Sequence, residues 1–454
     1  MKNLFRLSAY LFAAVIVLVI FTHAKKKTAA GSTLFKNATI IDGNGGNPAT
    51  NTDLLVRDGI IAAIGRNLQA AGAQVVDLSG KTLMPSLIST HVHIGTLKGT
   101  TTTAANYTRD NVLSQLRKYE TYGVNTIQVM GTDRPLLFAG GLRDSSQKGL
   151  LPGARIYSAG YGFGTPGGGP PAEMGMDNVY RPVSASQVPA QMDSLARLRP
   201  SVVKMWIDNF NGRFKKMDPA VYKTIIQEAH KRGLRVAAHV YYLADARQLV
   251  ADGIDLFAHS IRDSVIDDAL IQQMKAKKVA YIPTLTLDEY AYVYANKPAW
   301  ADDAFFKASL EPGAYELITS EKYQNDIKNS PQYAKNGLAL QHALLNVKKL
   351  YAAGILVALG TDSGASPVRT QGFSEHLELE LLVQAGLTPL QAMGAATRSA
   401  AQLLKIDKSY GTLEKGKTAD MIVLSKNPVD DIRNTRTIEA VYKAGKQVSQ
   451  GPVK

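Results

Sequence analysis

Cysteine is absent from all 454 residues. That excludes disulfides, thiolate-bound zinc, iron-sulfur clusters and thiol catalysis together, so any metal site must draw on His, carboxylates or a modified side chain. The 38 Gly and 19 Pro are too few, and too scattered, for a collagen-like or wholly disordered chain. No block of five or six like charges occurs, so the net charge of +14 is not concentrated into a nucleic-acid-binding arm. Beyond the first thirty residues no stretch of about twenty apolar residues appears, which leaves no further spanning helix to expect.

What is present begins with a leader. Lys2 and Arg6 precede an apolar run from Leu7 to Phe21, and Lys25, Lys26 and Lys27 follow it. These five cations account for part of the charge, and +9 remains without them. A basic start, a short apolar stretch and Thr22-His23-Ala24 before the lysines describe a signal peptide over residues 1–30, and therefore export to the periplasm or the medium. The alternative is an uncleaved leader that anchors the protein to a membrane.

Residues 31–83 read as short strands separated by Asp42-Gly43-Asn44-Gly45-Gly46, Asp58-Gly59 and Ser79-Gly80, which are turn signals. Similar strands return in residues 406–454, at Asp420 to Leu424 and Ile438 to Tyr442. Neither piece can bury a core alone, so the two chain ends are expected to form one small β-sandwich domain. Between them, residues 84–405 alternate short apolar runs with helix-period segments, the pattern of parallel βαβ units. Eight candidate strands, Leu87 to His91, Val124 to Met130, Ala154 to Ser158, Val202 to Ile207, Val236 to His239, Leu256 to His259, Val279 to Pro283 and Leu356 to Gly360, predict an α/β fold of the (β/α)8 TIM-barrel type. Asp218-Pro219 and Thr388-Pro389 open two of the helices. Residues 287–334 read as an insertion without a resolvable pattern.

The chemistry gathers at strand ends. His91-Val92-His93 closes the first barrel strand, and the period of two puts both imidazoles on one face. His239, His259 and Asp362 close or follow later strands, where a barrel builds its mouth. Such nitrogen and carboxylate donors suit zinc, with manganese, iron or cobalt as alternatives. Lys204 lies between Val202 and Trp206 on the inward face, where a bare ammonium is costly; reaction with carbon dioxide would make it an anionic carbamate able to bridge two metals. Tyr241 and Arg262 follow two of the histidines and are candidate substrate contacts, Arg262 for a carboxylate. Gly162, Gly164 and Gly167 form a nominal dinucleotide motif, but prolines rather than a helix follow, so a pocket wall is expected instead. His230 and His342 lie in helical stretches and His23 in the leader, so none of these is expected to be a ligand, while His376 is left open.

These residues resemble the amidohydrolase superfamily, in its imidazolonepropionase-like and prolidase-like branch of metal-dependent hydrolases. The resemblance runs from Thr33 to Val448 and includes Val75-Val-Asp-Leu-Ser-Gly-Lys-Thr-Leu-Met-Pro85 and Gly411-Thr-Leu-Glu-Lys-Gly-Lys-Thr-Ala-Asp-Met-Ile-Val-Leu424. It implies that His91 and His93 bind the more buried of two zinc ions and that carboxylated Lys204 bridges the pair. It further implies that His239 and His259 bind the second metal, and that Asp362 contacts the first and moves the proton. Some relatives use a single metal and lack the lysine. Ser86 and Ser89 depart from the Gly and Asp that the family carries before its histidine pair. The implied reaction is hydrolysis of an amide or related C–N bond in a small molecule, a dipeptide, N-acyl amino acid or cyclic amide, by metal-activated hydroxide. A lactonase or phosphoesterase on the same metals, and an inactive barrel that only binds, are the alternatives; a homo-oligomer is compatible with all three.

Overall fold

A computed structural model describes residues 31–453; the leader lies outside the described residues. The chain opens with β1 (Ser32–Ile40), β2 (Ala49–Arg57), β3 (Ile60–Gly65), β4 (Gln74–Asp77) and β5 (Thr82–Pro85). There follow β6 (Leu87–Val92), the short hairpin of β7 (Leu97–Lys98) and β8 (Thr101–Thr102), β9 (Val124–Val129) and β10 (Arg155–Ser158). The next strands are β11 (Val203–Trp206), β12 (Val236–His239), β13 (Leu256–Ala258) and β14 (Ala280–Ile282). Three more close the chain: β15 (Met421–Leu424), β16 (Ile438–Lys443) and β17 (Lys446–Ser449).

Both chain ends enter one connected eight-stranded sheet, ordered β17-β16-β15-β5-β1-β2-β3, with β4 paired to β1. Asp58 and Gly59 both adopt positive φ between β2 and β3, the backbone that a two-residue hairpin of this twist requires. β5 pairs with β15 from Pro85 through Thr82, so the sheet extends past the expected boundary at residue 83. Phe35 meets Tyr442 edge to face at 4.9 Å, joining the N-terminal and C-terminal pieces through buried aromatic area that neither owns alone.

The middle of the chain is parallel α/β. β10-β9-β6 form one sheet and β11-β12-β13-β14 another. Isolated parallel bridges join Phe163 to Met205, Tyr281 to Val357 and Val92 to Ser363. Seven of the eight expected strands are present within a residue or two of their predicted ends. The eighth is corrected: Leu356 to Gly360 is a single bridge at Val357 rather than a strand. Its backbone still bonds on both sides, with Ala358 donating to the Tyr281 carbonyl and Thr90 donating to that of Leu359. Asp362 then turns left-handed at φ 58 and ends the regular pairing.

The helices start where their caps dictate. Asp218 accepts from the Ala220 amide ahead of Pro219–Lys231, and Thr388 accepts from that of Gln391 ahead of Pro389–Ala396. The insertion consists of short helices, among them Leu285–Tyr290, Ala314–Thr319 and Glu321–Lys328, leading into the long helix Tyr333–Ala352. Stacked Tyr290 and Tyr294, and Trp300 packed on Phe306 and Phe373, order it. Aromatic packing between short pieces leaves no hydrophobic period to read, which is why sequence alone did not resolve it. No helix among the described residues is long and apolar enough to cross a membrane.

Candidate metal centre

β6 carries His91, and His93 follows one residue beyond its end; both imidazoles are buried. The Nδ1 of His93 lies 2.6 Å from Thr132 Oγ1, which directs its Nε2 to Asp362 Oδ1 at 2.9 Å. His91 Nε2 stands 3.2 Å from that same carboxylate oxygen. One donor atom from each of these three residues lies within 4.8 Å of the other two. Asp362 reaches this position because its amide donates to the His91 carbonyl at 2.9 Å while its backbone adopts the left-handed turn. Its other oxygen pairs with Arg369.

Lys204, in the middle of β11, is 0% exposed, and its Nζ has no hydrogen-bond partner. Trp206 shields it from one side, its ring 5.1 Å from Nζ. Burial pushes the ammonium down to about 7, against the pull of Asp362 and Asp208, so the amine is readily neutral and nucleophilic.

His239 and His259 complete the group, with ring centroids 4.3 Å apart and His259 4.5 Å from His91. His259 adopts φ 105, and its Nδ1 is held 2.9 Å from Oγ1 of Thr284, itself at φ 50. Two left-handed non-glycine residues in one contact are backbone strain concentrated at the centre. His239 Nε2 lies 3.3 Å from Asp208 Oδ2, its ring stacks on Phe210 at 5.0 Å, and its Nδ1 is buried without a partner.

This donor set fits a divalent cation. Burial, aided by Lys204, depresses His91 to about 3, and burial likewise lowers His239 and His259, so these imidazoles are neutral, the form that ligates. Both nitrogens of His91 and the Nδ1 of His239 are buried without hydrogen bonds. Each such orphan costs about 1–3 kcal/mol, which a coordinated ion offsets.

A cavity of about 420 Å³ opens above the cluster, with His93, His239, His259 and Asp362 at its base and Trp206 and Phe210 on its wall. Pro170 and Pro171 of the glycine loop line it too, and Phe163 in that loop is tied to the Lys204 carbonyl at 2.8 Å. Tyr241 and Arg262 both face the cavity. Arg262 is buried and already engaged: it pairs with Asp288 at 2.8 Å, donates to the Ser260 carbonyl at 2.8 Å and stacks over Tyr241 at 4.7 Å.

Sequence reasoning missed Asp208, Arg369, Thr132 and Thr284. Asp208 had a signal, since it continues the inward alternation of Lys204 and Trp206. The remaining described histidines are engaged elsewhere. His230 pairs with Asp255 at 2.8 Å, His342 Nδ1 lies 3.2 Å from the Arg262 carbonyl, and His376 bridges Thr435 and the Tyr122 carbonyl. His23 lies outside the described residues.

A model of the amidohydrolase family matches residues 82–448. The chain is 27% identical over 247 residues to the ochratoxinase of Aspergillus niger, a stretch covering 53% of this chain and 43% of that protein. It thus spans less than half the length of this curated relative. A putative prolidase from Bifidobacterium longum superposes with a TM-score of 0.70 at 25% identity, covering 93% of this chain and 96% of the other. A Xaa-Pro dipeptidase with bound methionine in its active site superposes at 0.72 with 21% identity, covering 92% and 99%, a likeness of fold.

Proposed function

The chain belongs to the amidohydrolase family, and on that premise we propose that it is a metal-dependent hydrolase of an amide or related C–N bond in a small molecule. The observation that carries the reading is the buried triad of His91, His93 and Asp362, three donors within 4.8 Å of one another at the base of an open cavity. Ligand roles follow from position. His91, His93 and Asp362 would hold one ion and His239 and His259 a second, with Lys204, if carboxylated, supplying an anionic oxygen donor between them; neutral imidazole and oxygen donors suit zinc.

Bound cations of this kind supply Lewis acidity and lower the pKa of water to near neutrality. The protein supplies the rest. Asp362 is placed to accept a proton on the cavity side and return it to the departing nitrogen. Thr132 and Thr284 fix which nitrogen His93 and His259 present. Tyr241 contacts the substrate, and Arg262, held by Asp288, keeps the phenol ring in place.

The architecture we propose for residues 84–405 is a closed (β/α)8 barrel, supported by the three isolated bridges that link the parallel sheets and the eighth segment. Residues 31–85 and the described part of the C-terminal segment, 406–453, make up the companion β domain in this reading. The basic, apolar leader supports export, with retention as a membrane anchor as its alternative; the N-terminal mass of protein recovered from the periplasm separates them.

The deciding experiment is metal analysis of purified protein, together with assays on prolyl dipeptides, N-acyl amino acids, ochratoxin, cyclic amides and lactones. Bound transition metal and loss of C–N hydrolysis on chelation are expected. Protein without bound metal, whose activity survives chelation, would refute the reading.

A further inference from the structure

One buried carboxylate plays no part in the chemistry above. Glu375 lies in the first turn of the helix Phe373–Gln384, is 0% exposed, and makes no salt bridge among the described residues. An unpaired carboxylate in such a place is costly unless hydrogen bonds satisfy it. They do, and their origin is informative. Its Oε1 accepts from Ser89 Oγ at 3.0 Å, Thr361 Oγ1 at 2.7 Å and Ser363 Oγ at 3.0 Å, while Oε2 accepts from the Gly372 amide at 2.9 Å. Ser89 lies in β6 two residues before His91; Thr361 and Ser363 flank Asp362. Because the Ser363 hydroxyl is spent as a donor, it receives its own bond from Tyr119 at 2.7 Å.

We propose that Glu375 is a positioning residue: its single oxygen ties the strand end that carries His91 to both neighbours of Asp362, and so sets the spacing of the metal triad. The inference rests on the metal reading of that triad. Three hydroxyls drawn to one oxygen from two separate segments leave little freedom for either to slide, and groups that orient ligands in this way typically govern metal affinity by about ten- to hundredfold.

The test titrates metal-depleted full-length protein with cobalt(II), following visible absorption, whose band intensities report coordination geometry. Glu375→Gln is expected to weaken binding by about ten- to hundredfold and to alter the bands. Since Ser89 Oγ already touches Glu375, a carboxylate can be moved across that contact. The double variant Ser89→Asp/Glu375→Gln is expected to recover affinity and spectrum, whereas Ser89→Asp alone sets two carboxylates face to face and loses both. If Glu375→Gln fails to fold, the double variant decides, because the proposal requires it to fold and bind. Unchanged affinity and bands in folded Glu375→Gln, or a double variant no better than Glu375→Gln, would overturn the positioning role alone. Wild-type protein that takes up no cobalt would overturn the metal reading and this role with it.

Discussion

Arg369 and Asp362 form an ion pair in which the guanidinium takes Oδ2, leaving Oδ1 to face His91 and His93. The two oxygens of one carboxylate are thereby given different neighbours. Burial alone would raise this carboxyl, yet Arg369 and the two histidines beside it hold it well below the usual carboxylate range. Replacing Arg369 by Met removes the partner of Oδ2 while keeping much of the volume. A charged hydrogen bond of this kind contributes about 1.5–3 kcal/mol, so kcat is expected to fall about ten- to hundredfold. Arg369→Lys, which keeps charge but not the planar fork, should fall between. Steady-state kinetics on the preferred amide checks this; an unchanged kcat in the Met variant would show that the histidines alone orient Asp362.

Gly360 sits where the eighth segment passes behind His91. A Cβ there would lie 2.5 Å from Ile282 Cγ2, 2.8 Å from His91 Cβ and 3.0 Å from His91 N, closer than side chains in a packed core tolerate. Gly360→Ala therefore crowds both Ile282 at the end of β14 and the His91 backbone of β6, whose N atom is not a flexible side-chain end that can swing aside. We expect a loss of about 1–3 kcal/mol in stability and a fall in bound metal in the folded fraction. Gly46→Ala, whose added methyl meets nothing within 4 Å, is the control and should change neither. Urea unfolding and metal analysis on the same preparations give the answer.

Much of this was legible in the chain, and the exceptions share a cause. Strand period placed His91 and His93 together, and turn residues marked the two ends that meet in one sheet. Lys204 stood out because its alternate neighbours were apolar. Arg369 and Glu375 carried no comparable mark, since their meaning lies in partners far along the chain: Ser89 and Glu375 are 286 residues apart. A weaker signal was still there. In Phe373–Gln384, Leu377, Leu379, Leu381 and Leu382 spread around the helix and leave no polar face, which forces Glu375, His376 and Glu378 inside. The eighth strand was overread because its apolar run is genuine while its pairing is broken by the left-handed turn at Asp362.

Lys204 gives a prediction in which site and stability move in opposite directions. Its amine is buried and unpartnered unless carboxylated, so in metal-free protein it is a cost. Lys204→Met fills the same slot with an apolar chain. Metal-free Lys204→Met should be at least as stable as metal-free wild type, while its capacity for a second metal disappears and activity falls with it. Thermal unfolding after chelation and metal stoichiometry after reconstitution test the two halves separately. Wild-type protein supplied with carbon-13 bicarbonate should show a carbamate resonance that the variant lacks; retention of both metals by Lys204→Met would rule out the bridge.

His376 contributes to the acid limb of stability without touching the metal centre, alongside the buried histidines within it. It donates from Nε2 to the Tyr122 carbonyl at 2.9 Å and accepts at Nδ1 from the Thr435 hydroxyl at 3.0 Å, joining the barrel segment to the C-terminal region. The neutral ring satisfies both nitrogens, and burial, which penalises the charged form, depresses the ring to about 3. In the unfolded chain a histidine titrates at about 6.5. Between those values the unfolded chain holds a proton that the folded chain refuses, so this contribution is complete above pH 6.5 and drains away as pH falls towards 3. Gln at this position keeps one donor and one acceptor but cannot charge. His376→Gln should therefore cost about 1 kcal/mol at neutral pH, yet lose stability less steeply on acidification. Urea unfolding of metal-free protein across this range measures both slopes. Parallel slopes for wild type and variant would mean that His376 is protonated in the fold, and that its two bonds are not those of a neutral ring.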